Sequence, residues 1–268
     1  VYVGAFVLFL FILGLFIVDG GLKWAMLVAT VFSILLSWGK NFMPLTDFFL
    51  NYFPMYNKFR SVSSILVVAE ICIPILAAFS LAEIIKKPEI IKKKATAFYI
   101  SIAATAGLTL LFWLMPKTFF NFFPQKEVEQ FASWIQQNPG AESQINMYMA
   151  GLEAARVAIF KADAIRSFII ITLGVALIYL YSKGKLKKGL TIASVLLLVL
   201  IDMWSIDKRY LNNDCFLPKR ETMVAWPMTE ADKVILQDKD LGYRVINLTV
   251  DPFRDASTSF YHRSVGGY

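Results

Sequence analysis

The sequence predicts an all-α polytopic membrane protein, and three observations predict it. Apolar residues make up 57% of the chain and charged residues 18%, against about 45–50% and 25% in soluble domains. Phenylalanine alone occurs 23 times. A soluble core of this length could not hide that much apolar surface, whereas lipid can cover it. The apolar residues are also gathered into six runs, each long enough or nearly so to cross a hydrocarbon core, which takes roughly 20 helical residues.

The predicted spans are 1–18, 22–38, 61–85, 95–115, 165–182 and 189–206. The first has no basic leader, so it is not read as a signal peptide. The second is short but bracketed by Trp24 and Trp38, which suit the two interfaces. The third is interrupted by Glu70 and Pro74, and the fourth carries no charge. The loop 86–94 holds Lys86, Lys87, Lys92, Lys93 and Lys94, and the loop 183–188 holds Lys183, Lys185, Lys187 and Lys188. Lysine bias in short loops places both in the cytoplasm. Alternation then puts 19–21 inside and 39–60, 116–164 and 207–268 outside, so one assignment satisfies all six spans. The lysine runs read first as a topology signal, with dedicated binding of anionic headgroups as the alternative. The net charge of +7 does not point to nucleic acid, because the basic residues sit at span ends without a recognition motif.

The outer segment 39–60 is not an ordinary hydrophilic loop. Seven aromatics alternate with Pro44, Pro54, Asp47, Lys58 and Arg60. Such a stretch lies along the interface or dips back into the protein, since irregular backbone at membrane depth needs protein or a water-filled cavity around it. It reads either as an aromatic belt with snorkelling cations or as the wall of a headgroup-sized pocket with Lys58 and Arg60 facing phosphate. Glu70 falls roughly 14 Å into the third span at about 1.5 Å per residue. Pro74 removes the hydrogen bond to its carbonyl. A mid-span carboxylate faces a partner or a cavity, so Glu70 is expected either to line a polar cavity at the outer leaflet or to pack on another helix.

The outer loop 116–164 predicts two amphipathic helices near the membrane surface, broken at Asn138-Pro139-Gly140, with the second leading into the fifth span. Asp163 and Arg166 can pair at the start of that span. Asp202, Trp204 and Asp207 through Tyr210 form an interfacial anchor, in which Asp202 is either exposed at the interface or still within the membrane facing the same outer cavity. Beyond it, a short helix from Thr229, a strand-like run Tyr243–Val250 and a turn at Asp251-Pro252 suggest the start of an extracytoplasmic, β-containing domain. The chain begins at Val1 with no initiator Met and stops after Gly266-Gly267-Tyr268; it is expected to be an internal piece of a longer protein.

Several chemistries find no foothold in the residues. There is no phosphate-binding Gly-rich loop of either nucleotide type. One histidine, His262, and two cysteines, Cys72 and Cys215, do not indicate a metal site or a disulfide framework. A Ser-His-Asp arrangement has only His262 to build on. The cofactor is left unknown, and a divalent metal is not indicated.

Three sets of strings resemble the YfhO family of bacterial membrane proteins. The first is Met43-Pro44-Leu45-Thr46-Asp47 with Asn57-Lys58-Phe59-Arg60-Ser61-Val62-Ser63. The second is Asp202-Met203-Trp204 with Asp207-Lys208-Arg209-Tyr210-Leu211-Asn212. The third runs from Tyr243 to Thr249 and from Asp255 to Ser259, with Tyr261-His262 and Gly266-Gly267-Tyr268. The resemblance covers essentially the whole chain and is nearest to members from Bacteroidetes-type bacteria. It implies the architecture of GT-C glycosyltransferases, which take a sugar from a polyprenyl-phosphate carrier on the outer face of the bacterial cytoplasmic membrane. Family members in some Gram-positive bacteria are linked to teichoic-acid glycosylation, an acceptor out of place in a Bacteroidetes-type cell. The catalytic carboxylate of such enzymes lies in a first outer loop expected to precede this chain, so no residue here inherits that role.

The resemblance implies a lipid-linked sugar donor and membrane lipids as partners. It gives Lys58 and Arg60 the phosphate and leaves Asp47 and Glu70 as candidates for polar substrate contacts. Two other functions stay open: a transporter or flippase of lipid-linked saccharide, and a non-catalytic scaffold for an extracytoplasmic domain.

Overall fold

The computed structural model describes residues 2–58, 61–216, 218, 227–240 and 242–266. They fall into two units, Val1–Ile206 and Asp207–Tyr268.

The first unit is a helical bundle around a short central helix. Helix α1, Ala5–Ile17, has 13 residues, about 20 Å at about 1.5 Å per residue, and so falls short of a ~30 Å hydrocarbon core. It is apolar all round and buried: Phe6, Phe9, Leu13 and Ile17 are sealed by their neighbours, as an all-apolar helix must be. Helix α4, Val67–Lys86, runs against it, and Gly14 of α1 lets Leu76 and Ser80 of α4 come close. On the α10 side, a Cβ on Gly174 would fall inside the Phe6 ring, so only glycine permits that approach.

Helices stand at all six predicted places, but they do not all meet the length of a span. Four are long and apolar enough to cross a membrane: Val62–Lys86, Ala95–Leu114, Pro139–Ser182 and Lys188–Tyr210. By length and composition the described residues thus supply four of the six expected spans, or five if the bent pair formed by α2, Leu22–Ser37, and α3, Met43–Tyr52, counts as one. That pair turns through 107°. The turn is made by a 3-10 segment Gly39–Phe42, with Gly39 at φ 50° and its carbonyl accepting from Thr46 Oγ1 at 2.7 Å. A short helix α5, Ile90–Lys93, links α4 to α6, Ala95–Ile102. A π-turn at Ala103–Gly107 joins α6 to α7, Leu108–Leu114.

The outer segment 116–164 folds differently from its expectation. A single turn, α8, Pro116–Phe119, precedes α9, Gln125–Gln137. Then α10, Glu142–Ser182, runs for 41 residues without a break, about 60 Å. The second amphipathic segment and the fifth span are one helix. A helix continuous with a span cannot turn onto the membrane surface, so its first half projects from the bundle, with α9 folded back on it as a hairpin. Phe131 packs on Tyr148 with ring centroids 6.2 Å apart. Arg156 forks onto Glu127 at 2.7 and 3.1 Å and donates to the Phe122 carbonyl at 2.8 Å. The guanidinium holds the Glu127 carboxyl below its ordinary range.

Helix α11, Lys188–Tyr210, closes the first unit. At one end of the bundle the Tyr181 hydroxyl donates to the Ile85 carbonyl at 2.9 Å, and Lys94 Nζ donates to the Phe16 carbonyl at 2.7 Å. The three segments expected to share the cytoplasmic side therefore do lie at the same end.

The second unit carries two short helices, α12, Glu230–Ile235, and α13, Ser257–Tyr261. Thr229 caps α12 reciprocally with Asp232, the arrangement its Thr-x-x-Asp spacing favours. The run Tyr243–Val250 does not form a strand: among the described residues only an isolated parallel bridge joins Val245 to Ser264. The Asp251-Pro252 turn is present, closed by Arg254 N–H on the Asp251 carbonyl at 3.1 Å.

Candidate functional site

The bend between α2 and α3 encloses an apolar hollow of about 560 Å³. Phe32 and Leu36 of α2, Phe49 of α3, Phe53 and Tyr56 beyond it, and Ser61, Val62, Ser64 and Ile65 ahead of α4 line it. Phe49 is the hub, with centroid distances of 5.6 Å to Phe32 and 5.4 Å to both Phe53 and Tyr56. Helix α3 ends at Tyr52 and Phe53 is already extended, so helical spacing does not carry on to Tyr56. Met55 takes φ 65°, a left-handed conformation uncommon outside glycine, and this turns Tyr56 back toward Phe49. The Tyr56 hydroxyl is buried and has no hydrogen-bond partner among the described residues. Ser61 and Ser64 are the small polar residues in an otherwise apolar and aromatic lining.

The four candidate residues are dispersed. Lys58 is exposed two residues past Tyr56, at the edge of the hollow's own segment. Arg60 lies outside the described residues. Asp47 is exposed on α3, and Glu70 is exposed in the first turn of α4, one turn before Pro74; neither lines the hollow. Among the described residues none of Lys58, Asp47 and Glu70 makes an ion pair. The structure therefore leaves both carboxylates apart from the hollow, and Lys58, two positions past the lining residue Tyr56, is not itself among the residues that line it.

A second polar centre lies at the bundle end opposite the lysine loops. Asp202 is 1% exposed. Its carboxylate accepts from the Tyr2 hydroxyl at 2.8 and 2.9 Å and from the Ala5 N–H at 2.8 Å. It also pairs with Arg166 Nη1 at 3.2 Å. The guanidinium lies over the Tyr2 ring at 5.4 Å and donates to Ser205 Oγ at 2.8 Å. Asp202 is thus no interfacial exposure. It caps the free N–H groups of α1, where Gly4 has no side chain to do so, and meets the positive end of that helix. Asp163 reaches Arg166 at only 4.0 Å, so Arg166 favours the distant carboxylate over its helix neighbour. The clue in the sequence was an arginine and an aspartate in two separate apolar runs, each needing a partner; nothing in their spacing joined them.

In the second unit, a cavity of about 580 Å³ is lined by Asp232, Asn247, Thr258, Tyr261 and His262, among others. His262 Nε2 lies 2.9 Å from Asp232 Oδ1. Hydrogen bonds from Thr229, with that from His262, hold the Asp232 carboxyl below its usual range. Ser257, which also lines the cavity, donates to Asp255 instead of joining the His262–Asp232 pair. Among the described residues no group of three or more His, Cys, Asp or Glu side chains is placed to hold a metal ion.

Four helices long and apolar enough to cross a membrane mark a multi-pass, membrane-embedded helical protein. In comparison with known proteins, no family model, no curated protein and no solved structure matches the chain.

Proposed function

We propose that this chain forms the donor-lipid half of a membrane glycosyltransferase that takes a sugar from a polyprenyl-phosphate carrier at the outer face of a bacterial cytoplasmic membrane. The observation that carries the reading is the aromatic hollow of about 560 Å³ with Lys58 on the segment that closes it. An isoprenoid chain fits an apolar, π-rich lining, and the phosphate at its end meets the Lys58 ammonium. In the reaction an acceptor hydroxyl attacks the anomeric carbon and the bond to the phosphate oxygen breaks. The electron pair leaves on the phosphate, where Lys58 and Arg60 stabilise it. The hydroxyl proton passes to a carboxylate supplied from elsewhere in the protein. The lysine-rich end of the bundle then faces the cytoplasm, and the α9–α10 hairpin and second unit face outward.

The test is a membrane-fraction assay of the full-length protein with radiolabelled polyprenyl-phosphate sugar. Transfer of label to an acceptor, reduced about tenfold or more in Lys58→Gln, supports the reading. Label that changes leaflet without transfer makes the protein a flippase, and neither outcome leaves a scaffold. Blocking the hollow with Ser64→Trp is expected to raise the KM for long-chain donors more than for short-chain ones.

A further inference from the structure

We infer that the lysine-bearing end of the bundle is a binding surface for anionic phospholipid headgroups. Three segments far apart in sequence converge there: the start of α2, the 86–94 connection, and the 183–188 loop with the start of α11. Packing holds them together. Ile91 is buried in the same apolar cluster as Tyr181, and Ile85, Ile90 and Leu186 pack against that cluster. The hydrogen bond from Lys94 to Phe16 ties the C-terminal end of α1 to the 86–94 connection, and that from Tyr181 to Ile85 ties the C-terminal end of α10 to that of α4.

The charge at this end is unbalanced in a way no other part of the chain matches. It carries ten lysines, 23, 86, 87, 92, 93, 94, 183, 185, 187 and 188, against the carboxylates of Asp19, Glu83 and Glu89. That excess equals the whole chain's net charge of +7, so the remaining 17 basic and 17 acidic residues cancel. Glu83 serves both Lys86 and Lys87, and Glu89 serves Lys93. Lys92, Lys185, Lys187 and Lys188 are exposed and meet no carboxylate among the described residues. A loop needs only a few lysines to set its side of the membrane. Gathering three segments' worth on one rim, with apolar residues directly beneath, adds a surface at headgroup height on which Lys92, Lys185, Lys187 and Lys188 meet no carboxylate among the described residues. Phosphodiester headgroups are the anions that stand at that height, and ammonium groups bind them as point charges.

The full chain, purified in detergent, is titrated with phosphatidylglycerol and phosphatidylcholine of identical acyl chains, and retained lipid is counted by native mass spectrometry. Phosphatidylglycerol is expected to be held about tenfold or more in preference, and the preference is expected to shrink at high salt. Combined substitution of Lys92, Lys185, Lys187 and Lys188 by Gln is expected to abolish most of it. Substitution by Arg, or of Lys117, Lys126 and Lys161 by Gln, is expected to leave it. Equal retention of the two lipids by the wild type, an unchanged preference in the Gln variant, or equal displacement by soluble pyrophosphate would each overturn the inference.

Discussion

Asp202 shows how a single residue can be visible in a sequence and its role still hidden. It was legible as a carboxylate near the end of an apolar run, and it was expected at the interface. Its burial follows from Arg166, 36 positions earlier, which supplies the countercharge that lets a carboxylate leave water. Removing one member of a buried pair strands the other and costs about 3–5 kcal/mol, whereas removing both is much milder. Arg166→Met and Asp202→Leu are therefore each expected to lower the thermal midpoint in detergent sharply, and the double substitution is expected to recover much of the loss. Additive losses would show that the two residues act separately. The apolar hollow was half legible: the sequence marks an aromatic segment with cations at its end, but not that Met55 bends back and points Tyr56 at Phe49. That depends on a backbone conformation which residue type alone does not announce.

Among the elements, α10 departs furthest from its expectation, for a definite reason. Its composition changes from amphipathic to wholly apolar near Asp163, and such a change suggests a boundary. The helical period does not change there, and Glu142–Ser182 contains no proline, so nothing ends the helix. Gly174 sits in its apolar half and admits Phe6; Gly174→Leu is expected to separate α1 from α10 and to leave the protein in inclusion bodies or aggregated in detergent, while Gly151→Leu, where a Cβ meets nothing, is tolerated. The hairpin half rests on the Arg156–Glu127 fork. Because Glu127 titrates below its ordinary value in the folded hairpin, its contribution is complete above the ordinary carboxylate range, near about 4.3, and fades as pH falls through the folded value. Hydrogen exchange in α9 is expected to accelerate between neutral pH and pH of about 3 relative to the rest of the bundle, and Glu127→Gln is expected to erase that differential.

At the scale of the whole molecule, the class was legible because lipid exposure leaves a compositional mark that no packing detail alters. The number of crossings was less so, because hydropathy does not distinguish a span from a central helix such as α1 that is buried by its neighbours. Sidedness rests on how α10 is placed. Its Tyr181 end is bound to Ile85 beside the lysine loops, and about 50 Å of unbroken helix carries Tyr148 far beyond the opposite end. Lys92, Lys185 and Tyr148 thus have to divide two against one across the membrane. In a background lacking Cys72 and Cys215, single cysteines at these three positions are expected to react with a membrane-impermeant maleimide in one pattern: Tyr148→Cys labels in intact cells, and Lys92→Cys and Lys185→Cys label only after permeabilisation. The reverse pattern would keep the architecture and invert the orientation, placing the hollow and Lys58 on the cytoplasmic side, where the proposed outward-facing chemistry could not occur. Labelling of all three from outside would contradict the passage of α10 through the membrane itself.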